Sequence, residues 1–192
     1  MKKWTWVVLG VLLVVLAGVS WYIGGLNRVV RLDETVNESW SEIENQLLRR
    51  NDLIPNLVNT VKGYAKHEEK VFTHVADARA RLAGLIKEGG SLNSKIDAAK
   101  ELQGALSRLL VIVENYPKLK ANENFLKLQD ELAGTENRIA VSRTRYNRDV
   151  KTFNAYIREV FGSFFALRKD LNEARPYFEV APEKKEAPDV EF

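Results

Sequence analysis

The chain contains no cysteine, so disulfides and thiolate metal sites are both excluded. Histidine is nearly as scarce, and His67 and His74 fit neither familiar metal spacing. Val71 stands where H-E-x-x-H needs its second histidine, and Tyr64 and Val71 stand where Glu-x-x-His needs its glutamates. Both histidines are therefore read as solvated or capping side chains. No glycine-rich phosphate loop, nucleophile elbow or Ser/His/Asp arrangement occurs. An excess of one charge is missing too. Net charge is +3, with Lys2 and Lys3 at the very start, and the near balance elsewhere argues against binding nucleic acid. On Arg138, Arg145 and Arg148 the same argument holds, because Glu131, Glu136 and Asp149 are interspersed. No catalytic, cofactor-binding or metal residue is assigned, and no cofactor is expected.

What is present starts with residues 4–23, which carry no charge and run about as long as a bilayer's hydrocarbon core requires. Trp4, Trp6, Trp21 and Tyr22 mark its two ends, where amphipathic rings prefer the headgroup level. A cleaved signal peptide is the competing reading, with Gly18-Val19-Ser20 as a poor cleavage site. The apolar run is too long for a typical signal h-region, so an anchor is expected. Lys2 and Lys3 before it and Arg28 and Arg31 after it leave the orientation undecided. Gly24-Gly25 predicts a hinge, so that residues 1–25 form the anchor and its joint.

Behind the anchor, apolar residues recur on a seven-residue repeat. One row reads Leu26, Asp33, Trp40, Leu47, Ile54, Val61, and the other Val29, Val36, Ile43, Arg50, Leu57, Tyr64. This is a helix with a seam that partners must cover. Pro55 falls inside it, removing a backbone donor and predicting a kink rather than an end, since both rows continue in register. A break is expected at Gly63-Tyr64-Ala65-Lys66, followed by a second helix over residues 67–87 and a stop at Glu88-Gly89-Gly90-Ser91. Ser94 is the expected cap of a third helix, which ends at Asn115-Tyr116-Pro117. Asn122 caps a fourth, expected to run to a break near Gly162.

With 192 residues and 45% apolar content the chain can build one core. The expected fold is all-α: an N-terminal transmembrane helix, then an elongated antiparallel four-helix bundle over residues 26–174 with long first and last helices, and an extended, mobile tail over residues 175–192. Arg50 interrupts the apolar seam, and a structural polar layer with Glu136 would set helix register. Phe164, Phe165, Arg168 and Lys169 form an aromatic-basic stretch that up-down topology returns towards the anchor. A last turn packing on the first helix is its plainer reading, and membrane-surface contact the sharper one.

Several stretches carry a resemblance: Arg49-Arg50-Asn51-Asp52-Leu53-Ile54-Pro55-Asn56-Leu57-Val58, Val61-Lys62-Gly63-Tyr64-Ala65, Lys120-Ala121-Asn122-Glu123-Asn124-Phe125, Glu136-Asn137-Arg138-Ile139-Ala140, Pro176-Tyr177-Phe178 and the closing Val190-Glu191-Phe192. In this order they resemble the LemA family of bacterial membrane-anchored proteins. The resemblance implies an N-terminal membrane helix, an all-α bundle, a very short N-terminus outside the cell, and no established molecular function. The expected role is a single-pass, non-enzymatic scaffold in the cytoplasmic membrane of a bacterium, meeting the bilayer and protein partners, with self-association as a further option. Rival readings are a membrane-shaping or lipid-organising protein and an enzyme with an unrecognised carboxylate site.

Overall fold

The computed structural model describes residues 3–65 and 67–179, and every regular element among them is helical. Of the tail expected over residues 175–192, residues 180–192 lie outside the described residues. Helix α1 runs Lys3–Lys62, α2 Glu69–Lys87, α3 Leu92–Val113, α4 Pro117–Lys120, α5 Glu123–Tyr156 and α6 Val160–Arg168. At about 1.5 Å per residue, α1 alone is on the order of 90 Å long.

The expected hinge at Gly24-Gly25 is not a break, because α1 passes through both residues in helical conformation. Each glycine costs a helix only about 1 kcal/mol against alanine, too little to interrupt a long apolar helix on its own. Gly25 serves close packing instead: a Cβ there would overlap the ring of Phe165. The seam follows the predicted rows closely. Leu26 is half-buried and Tyr64 exposed, and all the other positions are buried.

Pro55 sits within α1, and its missing N–H frees the carbonyl of Asn51. That carbonyl is not orphaned, since Arg79 Nε on α2 donates to it at 3.1 Å. Helices α2 and α3 pack on one another across the short turn that holds Gly89 at φ +71°, and so run antiparallel. Their buried side chains include Phe72, Val75, Leu82, Leu102, Ala105 and Leu109. Helix α3 begins a turn earlier than expected. Its cap is Ser91, whose hydroxyl accepts from the Ser94 N–H at 3.2 Å, so Ser94 is the capped residue and not the cap. Asn122 caps α5 through its side-chain oxygen, which accepts from the Phe125 N–H at 3.0 Å.

Helix α5 ends at Tyr156, earlier than the expected break near Gly162. The apolar period continues through Ile157 and Val160 and so hides the turn. Gly162 lies inside α6, against the Tyr156 carbonyl oxygen, which a Cβ would overlap.

The chain divides into two units, Met1–Ser39 with Tyr146–Arg175, and Trp40–Arg145 with Pro176–Phe192. Within the second, α1 and α5 are antiparallel, because rising α1 numbers meet falling α5 numbers: Glu42 pairs with Arg145, Gln46 with Arg138 and Arg50 with Glu136.

Candidate functional site

In the first unit, one end of the apolar run meets α6. The Trp21 ring stands edge-on to Phe161 and Phe165, with centroids 5.3 Å and 5.2 Å away. Tyr22 makes wider contacts with Phe164 and Phe165, at 6.4 Å and 6.0 Å. Phe165 therefore turns inward, at 2% exposure over Gly25, and is not a free surface residue. Phe164 is 43% exposed, with the Arg168 guanidinium 5.3 Å above its ring. Lys169 follows the helix as its C-cap, with its backbone N–H bonded to the Ala166 carbonyl. Trp4 and Trp6 lie exposed near the other end of the run.

Below this collar lies a polar clamp. The Tyr156 hydroxyl donates to the Gly25 carbonyl at 3.4 Å, and the Arg28 guanidinium lies 4.8 Å over the Tyr156 ring. Asn154 makes two hydrogen bonds with the backbone of Arg175: its amide donates to the Arg175 carbonyl at 2.9 Å, and its oxygen accepts from the Arg175 N–H at 2.8 Å. That grip aims the guanidinium at Asp33, which accepts from Arg175 Nη2 at 2.6 Å and from Nε at 3.2 Å. Beside it, burial pushes the Tyr146 phenol above its ordinary range, a shift that the nearby Arg175 charge opposes only in part. Asp33 breaks the apolar seam, so a polar partner for it was readable in principle. The identity of Arg175 was not, because no periodicity links positions so distant in sequence.

The second unit holds two further groups of polar contacts. Arg50 Nη1 stands 2.7 Å from the Glu136 carboxylate, with the arginine side chain 9% exposed and the glutamate 41%. Burial lowers the Arg50 pKa, a shift that the Glu136 charge and hydrogen bond oppose only in part. Elsewhere, one oxygen of Glu44 accepts both from the Trp40 indole N–H and from Lys95 Nζ, each at 2.6 Å. Sequence reasoning missed these contacts, since Glu44 falls between the seam rows. Trp40 also faces Phe178, with centroids 6.1 Å apart.

Chemically, these are contacts that hold helices and rings in place. Among the described residues, no group of three His, Cys, Asp or Glu side chains is placed to hold a metal ion. His74 lies with Glu69, Lys70, Thr73 and Asp77 around a shallow open depression on one face of α2, and His67 is exposed. Arg138 and Arg145 are engaged by Gln46 and Glu42, and Arg148 by Asp149, so they do not form an unpaired basic stripe. One described helix, α1, is long and apolar enough to cross a membrane, and its apolar window is wholly exposed.

The chain is similar to magnetosome protein MamQ 2 of Paramagnetospirillum magneticum, 29% identical over 81% of this chain and 65% of that protein. It is similar to magnetosome protein MamQ of Magnetospirillum gryphiswaldense, 29% identical over 68% of the chain and 56% of the relative. Protein LemA of Metamycoplasma hominis is 26% identical over 78% of the chain and 67% of its own length. The chain thus spans less than two-thirds of the length of the magnetosome relatives. A family model for the LemA family matches residues 39–192, which is most of the chain and begins after the apolar run, and the chain belongs to the LemA family.

Proposed function

We propose that this protein is a single-pass membrane tether that presents a rigid, non-enzymatic helical scaffold to protein partners at a bacterial cytoplasmic membrane. Residues 4–23 of α1 anchor it, and α1, the α2–α3 hairpin and α5 associate as an antiparallel four-helix bundle. One observation carries the reading: a single unbroken helix holds both an exposed apolar run and, further on, the buried seam of a packed core. Direct continuation of the apolar run into buried seam positions suits display more than turnover. Support for the bundle comes from α1, which bonds α2 through Arg79, α3 through Lys95 and α5 through Glu136.

Proximity labelling from a C-terminal fusion tests the reading in cells. Repeated enrichment of the same membrane or membrane-adjacent proteins is expected. Labelling indistinguishable from that of an unrelated soluble control protein would count against it. A lipid-organising role is the second reading, and the exposed apolar side chains of α6 beside Trp21 favour it.

A further inference from the structure

We infer that α6 is a membrane-surface helix, with Val160, Phe161, Phe164 and Leu167 set into the boundary between lipid headgroups and acyl chains beside the anchor. The inference rests on the tether reading above and adds a second, lateral lipid contact to it.

Helix α6 is two-faced in a way that packing explains on one side only. Gly162, Phe165 and Ala166 are buried. Val160 is 82% exposed, Phe161 63%, Phe164 43% and Leu167 64%. Recurrence at these intervals gathers the exposed side chains along one stripe of the helix. In water such a stripe, on so short a helix, would be a costly surface. Three observations identify lipid as its cover. The stripe is continuous with the apolar run through Phe161, which touches Trp21, itself 54% exposed. Trp21 and Tyr22 close the run at the depth where indole and phenol rings settle, and α6 is packed at that depth. Cations flank the stripe as well. Arg158 precedes α6, Arg168 and Lys169 end it, and Arg28 and Arg31 lie exposed on α1 just past the collar. They outnumber Glu159 and Asp170 and match anionic headgroups. Phe165 has no part in the lipid contact, since its ring fills the space over Gly25.

Because the chain has no cysteine, single cysteines report cleanly. The variants V14C, V160C, L167C and V111C of the full chain would each carry an environment-sensitive fluorophore. Each would be reconstituted into vesicles of phosphatidylcholine and phosphatidylglycerol. Val111 is the control on α3, at 68% exposure, and Val14 the control within the run, at 70%. Labels at 14, 160 and 167 are expected to emit at shorter wavelength than the label at 111. Spin-labelled lipid should quench them several-fold more, and aqueous iodide several-fold less. If 160 and 167 respond to iodide like 111 while 14 stays lipid-protected, the helix lies in water and the inference falls alone. If both are shielded from iodide and from the lipid quencher, protein covers the stripe, and the inference is again overturned. If 14 is open to iodide, the tether reading fails and this inference fails with it.

Discussion

The Asn51 carbonyl shows at the residue scale how one side chain makes a broken rule tolerable. Pro55 withdraws the helical donor and Arg79 replaces it from another helix. Arg79→Met should cost about 1–2 kcal/mol, the penalty of an unpaired buried carbonyl. In a Pro55→Ala background the helix supplies its own N–H, and most of that cost should vanish. A urea double-mutant cycle measures this, and additive effects would refute the relay. The Arg50–Glu136 pair behaves differently, because only the arginine is buried. Glu136→Gln strands a buried cation; we expect a loss of about 2 kcal/mol, below the usual range for fully buried pairs because Glu136 is partly solvated. If the pair sets register, exchanging both charges should restore part of that loss, and an exchange no better than either single change would remove the pairing. Tyr146 adds a pH signature. Its folded pKa is raised, so its contribution to stability is complete below the unfolded value of about 10. Above that pH the unfolded chain loses the proton first, and stability falls as pH rises towards the folded value. Tyr146→Phe should flatten the decline of the urea midpoint above about pH 10 relative to the parent chain.

Elements here end and dock where backbone meets backbone. The turn between α5 and α6 has no proline or glycine within it, and the apolar period runs across it without a gap. What holds it is Gly162 against the Tyr156 carbonyl. Gly162→Ala should therefore cost about 1–3 kcal/mol, the range for forced overpacking. The loss should localise as faster amide exchange across α6, with α2 and α3 unaffected; uniform acceleration would contradict the docking argument. The start of α3 teaches a related lesson. Ser94 is the expected cap, and the role falls instead to Ser91, in extended backbone immediately after the glycine turn. Helix existence was legible from periodicity in every long element. Helix ends were less so, because a cap depends on dihedrals that the letters constrain only loosely.

At the largest scale, the governing feature is that an exposed apolar run and buried seam positions share one helix. Two changes within the run, Leu12→Arg with Val15→Arg, place charge where each costs about 2.5–3.5 kcal/mol on insertion scales. The prediction is that the parent chain stays with membranes after alkaline carbonate washing and the double variant moves to the supernatant, with unchanged helical circular dichroism. Parent protein in the supernatant would end the tether reading. The all-helical class, the apolar run and the buried seam positions were determined by the sequence alone, because each depends on spacing within one segment. The tertiary structure decided which groups answer the local breaks in that pattern. Arg175 answers Asp33 across 142 positions, and Tyr156 reaches the Gly25 carbonyl across 131. It also converted an expected hinge at Gly25 into a seat for Phe165. Such pairings arise when distant segments pack and desolvate one another, and no local periodicity encodes which polar group will be nearest once water is gone.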